Sequence, residues 1–386
     1  MDIHEFDDIR PYQEGEMKEA LTQLLADRHF NHMMHGLMPW MPKAILHAFL
    51  RLMFIGVRKP QDFQIRFMKP ILRYVLHKHA RGRSFDHGTV NNRGNYLFIS
   101  NHRDIVLDSA ILSLMLYDAG FPATCEIALG DNLLVYPWIK ILVRMNKGFI
   151  VRRSLKVKEM LESSQLMSRY MHFAIAEKKE NIWIAQREGR AKDSSDLTQD
   201  SVLKMLALGG EGSAVERLQE LNIVPLTISY EYDPCDYLKA QEFQQKRDDP
   251  SWKKSKQDDL DNMRIGIFGY KGHVHYCTGT PVNEWIGECS DLPKTELFKT
   301  MAYRLDRDIH SNYKLFPGNY IAYDELHAGN EFARHYSKRD KEIFENYLQG
   351  QLAKVSLPNP DVPFLRERIL TMYAYPVVNR KQANSL

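Results

Sequence analysis

The sequence predicts an α/β sandwich flanked by helical regions, and three observations carry that prediction. Between residues 85 and 282, short runs rich in branched and aromatic side chains alternate with helix-like segments. Before and after that stretch, apolar residues recur at three- and four-residue spacing. A hydrophobic content of 44% in 386 residues is enough for one large core with appended elements, or for two modest domains.

From about residue 15 to 80 the helical pattern breaks near Pro39, Pro42, Pro60 and Pro70, which predicts an N-terminal helical region over 1–85. NYLFIS (95–100), ATCEIAL (123–129), KGFIVR (147–152), NIWIAQ (181–186), IVPLTISYEY (223–232) and HVHYCTG (273–279) read as strands. Helices are expected around 108–118, 155–179 and 199–208, so that 86–295 forms the sheet domain. The polar stretch QQKRDDPSWKKSKQDDLDN (244–262) carries many charges of both signs and reads as a solvated excursion. Residues 296–386 turn helical again, interrupted by LFPGNY (315–320) and LPNPDVP (357–363); this region could cover the sheet or mediate dimerisation.

Formal charge is +3, from 52 basic and 49 acidic residues, so nothing in the overall balance points to nucleic acid. Cys125, Cys235, Cys277 and Cys289 lie far apart with no CxxC pair, which speaks against a zinc ribbon or a dense disulfide framework and fits a reducing compartment. The opening MDIHEFDDIR is acidic and has no apolar stretch, unlike a signal peptide, so a cytoplasmic protein is expected. No uninterrupted apolar run approaches the roughly 18 residues of a spanning helix. AILHAFLRLMFIGV (44–57) contains His47 and Arg51 and is followed by Arg58 and Lys59; it suits either a helix lying in a membrane interface or one packed on its own domain.

FISNHRDIVLDSAIL (98–112) is an apolar strand followed by a short loop and a helix-like run. His102 therefore falls at the carboxyl end of a strand, where open α/β sheets place ligands. A carboxylate a few residues on can fix the imidazole tautomer and stabilise the imidazolium, the arrangement a general base needs.

With its surroundings, this segment resembles the glycerol-phosphate and lysophosphatidate acyltransferases, whose first motif is Asn-His followed by Asp after four intervening residues. Here five residues separate His102 from Asp108, and Asp104 stands at His-x-Asp spacing as an alternative orienting carboxylate. SAIL after Asp108 matches the apolar helix of the family, so Asp108 is the aligned residue. KGFIVRRS (147–154) resembles the second motif, whose Arg contacts the acceptor phosphate; Arg152 takes that role by the match, with Arg153 as the fallback. IAQREGRAKDS (184–194) resembles the third, matching Glu188 and Gly189 and bringing Arg190 one position early. NIVPLTISYEY (222–232) resembles the fourth, with Pro225 at its Val-Pro step and assigned to the acyl groove.

The resemblance covers roughly residues 90–285 and implies a mixed-sheet αβα sandwich of the glycerolphosphate acyltransferase type. It also implies direct transfer of a fatty acyl group, without metal or cofactor, from acyl-carrier protein or coenzyme A to glycerol 3-phosphate or lysophosphatidate. His102 would be the base and Asp108 its orienting partner; Arg152, Arg153, Glu188, Gly189 and Arg190 would bind the acceptor. The protein would then sit peripherally on the cytoplasmic face of a membrane. Two alternatives stay open: another amphiphilic acceptor such as a lyso-aminolipid, and a non-enzymatic membrane-associated protein on this scaffold.

Other constellations read more plainly. His102-Arg103-Asp104 mimics a protein-kinase catalytic loop, but Ser109 stands where the metal-binding Asn belongs, and there is no DFG. His29, His32 and His35, and likewise His273 and His275, lack a Cys or carboxylate set at ligand spacing, so no metal is expected. PWIKILVRMN (137–146) suits the rim of an acyl groove or core packing equally.

Overall fold

The apolar runs become the middle of a seven-stranded sheet in the computed structural model, which describes residues 2–153 and 155–385. The strands are β1 (Gly82–Asp86), β2 (Leu97–Ser100), β3 (Cys125–Gly130), β4 (Gly148–Val151), β5 (Asn181–Ala185), β6 (Ile223–Tyr230) and β7 (His273–Thr278). Their order is β1-β7-β6-β2-β5-β3-β4, and every neighbouring pair is parallel except β6 with β7, so the sheet is mixed. β2 lies fourth of seven with all four residues buried, which explains why its sequence, LFIS, is apolar without alternation.

Five helices precede the sheet: α1 (Met17–Ala26), α2 (Arg28–Leu37), α3 (Lys43–Met53), α4 (Pro60–Phe63) and α5 (Lys69–His79), with a π-helical turn over Gln64–Met68 between the last two. Within the sheet region come α6 (Leu107–Asp118), α7 (Pro137–Met145), α8 (Val157–Ala176), α9 (Asp200–Leu206), α10 (Ala214–Glu220), α11 (Asp236–Asp248) and α12 (Lys256–Phe268). Four more follow: α13 (Lys294–Ser311), α14 (Pro317–Leu326), α15 (Lys338–Leu352) and α16 (Val362–Asn384).

Each sheet face buries one core. Leu72 and Leu76 of α5 and Leu107 and Ile111 of α6 pack with Phe98, Trp183 and Tyr276 on one side. Tyr170 and Met171 of α8, Leu203 of α9, Leu218 of α10 and Met301 and Leu305 of α13 pack with Leu97, Ile99 and Ile182 on the other. Alternation along β2 thus sends neighbouring side chains to opposite layers. A third cluster joins α1–α4 to Met145 of α7, and a fourth joins α11 to α14–α16.

Three features differ from the sequence expectation. The edge strand β1, GRSFD, pairs with β7 although its burial hardly alternates, and it straddles the expected boundary at residue 85. α13 covers the sheet beyond the expected boundary at 295. The charged stretch at 244–262 leaves the sheet and is unburied apart from Gln244 and Asn262, as expected, but it is helical over much of its length, holding the end of α11 and most of α12. Ser255 and Asp258 form a capping box that starts α12. Lys239, Glu242 and Gln244 of α11 are buried because each has a partner: Lys239 meets Asp233 at 2.5 Å, Glu242 pairs with Lys192, and Gln244 donates to the Asn359 carbonyl at 2.8 Å.

The N-terminal residues are part of the sheet core. Ile150 of β4 donates its N–H to the Ile9 carbonyl at 2.9 Å, and Phe6, fully buried, meets Tyr170 edge-on at 5.2 Å and Phe173 at 5.6 Å between centroids. Phe6→Ala is expected to lower the unfolding free energy by about 3–5 kcal/mol, read from a denaturant melt. A midpoint near wild type would show that this segment does not contribute to the core.

Candidate active site

Strand polarity brings the loops after β2, β3, β4, β5 and β6 to one end of the sheet, and the loop after the central strand carries His102. Its Nδ1 lies 2.8 Å from Oδ2 of Asp108, whose side chain is fully buried while that of His102 keeps 13% exposure. The same carboxylate oxygen accepts the backbone N–H groups of Arg103 at 2.6 Å and Asp104 at 3.0 Å. At its backbone, Asp108 is held by Tyr276, whose phenol donates to the Asp108 carbonyl at 2.9 Å. With Nδ1–H donating to carboxylate, Nε2 carries the lone pair and has no hydrogen-bond partner among the described residues. Trp183 meets the imidazole edge-on at 5.4 Å and anchors its own indole N–H on Ser100 at 3.0 Å.

Asp104 does different work. Its Oδ1 accepts the N–H groups of Val106 at 2.9 Å and Leu107 at 2.8 Å, satisfying donors at the start of α6 that would otherwise be orphaned. Burial, then the neighbouring Asp108 charge, push its carboxyl above the usual carboxylate range. Gly266 lets α12 lie directly over this carboxylate, where a Cβ would not fit. Asp104 is therefore a helix-start residue and not the partner of His102.

The residues flanking His102 are tied down from the opposite face. Asn101 uses its side chain to continue the β2–β6 ladder, donating to the Ile228 carbonyl at 2.9 Å and accepting the Ile228 N–H at 2.8 Å. Asn101 also reaches Oδ2 of Asp196 at 3.3 Å. Arg103, 7% exposed, places Nη2 2.6 Å from that same oxygen and donates from Nη1 to Ser194 at 2.6 Å. Tyr313 donates its phenol to it at 2.6 Å, and His310 Nε2 lies 3.0 Å from the Asp196 carbonyl. Asn379 of α16 then holds the Ser194 and Ser195 carbonyls at 3.1 and 3.2 Å. Asp196 stands in the left-handed region, with φ of 45°. Asp196, His310, Tyr313 and Asn379 are not singled out by sequence reading: their only signal is convergence in space.

The predicted acceptor residues separate into two groups. Arg153 and Glu188 meet at 3.3 Å across the β4 and β5 loops, and the Arg153 N–H donates to Asp131 at 3.1 Å. Gly189, with φ of 67°, makes the exposed turn beside them, where a left-handed conformation favours glycine. Arg152, the first choice from sequence, points elsewhere, pairing at the surface with Asp8 at 2.9 Å. Arg190 turns toward α12, donating to Asn262 at 2.8 Å, and leaves Nη1 buried without a partner among the described residues. Arg187, unnoticed in the sequence, likewise keeps a buried, unpartnered Nε.

Pro225 is not among the residues that line the apolar cavity between α5 and α6. It sits inside β6, buried, opposite Ile99 of β2, and its carbonyl accepts the Gly279 N–H at 2.8 Å where the pairing with β7 ends. A proline, which has no N–H to give, is tolerated there. The apolar cavity near the site lies instead between α5 and α6, with about 110 Å³ open inside, lined by Met68, Leu72, Val75, Val106, Leu107 and Ala110 among others. Among the described residues no group of three or more His, Cys, Asp or Glu is placed to hold a metal ion, and no helix is long and apolar enough to cross a membrane.

Asp196→Ala is expected to destabilise the fold by about 3–5 kcal/mol, because it strands Arg103 as a buried charge. Arg152→Ala, which breaks a surface pair, should cost about 1 kcal/mol or less. Thermal melts of both variants separate the two cases.

No curated protein matches the chain. Among solved structures it is similar to the 1-acyl-sn-glycerophosphate (LPA) acyltransferase PlsC from Thermotoga maritima, with 11% identity, 76% of this chain and 97% of that one covered, and a TM-score of 0.37. Residues 83–229 match the family model described as Acyltransferase. That segment builds nearly all of β1 through nearly all of β6 and contains the His102 loop.

Proposed function

We propose that this protein moves a fatty acyl group from an acyl thioester, carried by acyl-carrier protein or coenzyme A, to the hydroxyl of glycerol 3-phosphate or lysophosphatidate in phospholipid synthesis. The observation that carries the reading is the His102–Asp108 pair at the end of the central strand, with Nε2 free. His102 Nε2 takes the acceptor hydroxyl's proton as the oxygen attacks the thioester carbonyl; Asp108 stabilises the imidazolium that forms. The C–S bond breaks and the thiolate departs readily, since a thiol is a far stronger acid than an alcohol. No covalent acyl-enzyme is required.

Arg153 is the better-placed donor for an acceptor phosphate, because it faces the β5 loop while Arg152 is committed to Asp8. The thioester's chain would occupy the α5–α6 cavity, whose lining includes Val106 and Leu107, the residues just before Asp108. A lyso-aminolipid is the second reading. One observation favours it: Glu188, 72% exposed, offers a carboxylate to an amine beside the site, while Arg190 is turned to Asn262.

His102→Ala is expected to abolish transfer in a folded protein, and Asp108→Asn to lower turnover by roughly three to four orders of magnitude, since the wrong tautomer is then favoured. Asp104→Asn should have little effect on chemistry. The assay offers glycerol 3-phosphate, lysophosphatidate and a lyso-aminolipid in turn with one labelled thioester, and products are identified by mass spectrometry. Near-normal rates in folded His102→Ala would remove the proposal, and product from the aminolipid alone would select the second reading.

Peripheral membrane binding belongs to the same proposal. α3 buries Leu46 and Leu50 but exposes Ile45, Phe49 and Leu52, and Trp40 and Ile55 beside it are 75% and 65% exposed. Lys43, Arg51, Arg58 and Lys59 edge this face, the composition of a helix lying among anionic headgroups. Leu52→Glu with Ile55→Glu should reduce flotation with anionic vesicles about tenfold or more without changing the melt. Unchanged flotation would place the membrane contact elsewhere.

A further inference from the structure

We infer that a separate binding site, for the anionic head of a phosphate ester or a carboxylic acid, lies at the end of β6 beside Arg103. A space of about 30 Å³ opens there between the sheet, α14 and α16, lined by Arg103, Ser229, Asp233, Lys314, Met372 and Pro376 among others. At roughly 10–15 Å³ for each water-sized group, it has room for the oxygens of a small anionic group and none for a hydrocarbon chain. None of the residues proposed for the transfer lines it. His102 and Arg103 are neighbours, yet the imidazole turns to Asp108 and the guanidinium to Asp196, so one loop serves both places.

The lining offers donors that the protein does not use. Arg103, 7% exposed, places Nη1 on Ser194 and Nη2 on Asp196, each at 2.6 Å, and each of these nitrogens carries a further N–H. Ser229 accepts the Lys314 N–H at 3.0 Å and keeps its own hydroxyl proton for another acceptor. Lys314 is exposed, and its ammonium makes no hydrogen bond or ion pair among the described residues. The carboxylate in the lining is already committed, since Asp233 meets Lys239 at 2.5 Å and accepts the Cys235 N–H at 2.8 Å. Arg103 with Asp196 and Asp233 with Lys239 are thus balanced pairs, and the charge of Lys314 is left over. An oxyanion supplies both the missing charge and the missing acceptors, through the charge-assisted hydrogen bonds that are the stronger kind. It also gives Arg103 a further partner, and so adds to the network that fixes the backbone beside His102.

The test titrates methyl phosphate and acetate by calorimetry, at constant ionic strength, into the full chain carrying Arg153→Ala, from which the proposed acceptor contact is absent. Saturable binding is expected to remain. Adding Lys314→Met should weaken it about tenfold or more, and Lys314→Arg should restore it. The probe that binds tighter assigns the natural ligand to phosphate esters or to carboxylic acids, and equal binding leaves the oxyanion itself as what is recognised. No saturable binding of either probe would overturn the inference, as would binding that Lys314→Met leaves unchanged. A loss that Lys314→Arg does not restore would mark Lys314 as structural and overturn it too. Binding is read here without any transfer, so the outcome stands apart from whether the protein uses the acceptor proposed above.

Discussion

The buried carboxylate of Asp196 is the point on which the rest of the site hangs. An ionised group withdrawn from water costs several kcal/mol unless its partners replace the lost hydration. Here Arg103, Tyr313 and Asn101 all converge on one oxygen of that carboxylate. Asn101 and Arg103 are the immediate neighbours of His102, so the imidazole is carried on backbone fixed at both sides by a group behind the sheet. Such a network holds as a unit, because losing one partner leaves the others paying for desolvation. It is how a loop without regular structure holds an imidazole against Asp108.

Much of the fold was legible in the sequence. β2, β5 and β6 are buried on both faces almost throughout, and their composition shows it directly. β1 was not legible because an edge strand with one neighbour needs no apolar alternation; GRSFD reads as loop until β7 is there to pair with it. α11 and α12 were not legible as helices for a different reason. The charges of 244–262 are mostly exposed, as their density implies, and the anchoring charges, Lys239 and Glu242 with its partner Lys192, lie outside that stretch. Polarity along a chain reports what must be satisfied and does not say by what.

The site divides along the same line. His102 and Asp108 were legible because both sit within one strand-loop-helix unit, and the extra residue in their spacing is absorbed by a loop whose Asp104 carboxylate turns the backbone into α6. Arg152 and Arg153 could not be ranked from sequence, since adjacent residues leaving a strand point in opposite directions and only the neighbours, Asp8 and Glu188, decide which faces the site. Pro225 was legible as a motif residue but misplaced, because a motif marks where a chain must bend or pair without saying what that serves. Asp196, Tyr313 and Asn379 lie 94 to 277 residues from His102 and share no pattern with it.

The clamp from α16 has a consequence for how the molecule is made. Asn379 holds the carbonyls of Ser194 and Ser195, and Arg380 holds that of Tyr313 at 3.0 Å. Every residue proposed for the chemistry is therefore synthesised well before the helix that secures the Asp196 loop. A chain still emerging from the ribosome carries His102, Asp108 and Arg153, yet lacks the contacts from α16 that hold the Asp196 loop in register. The geometry around His102 is thus completed only when α16 docks, so its assembly depends on contacts made far along the chain.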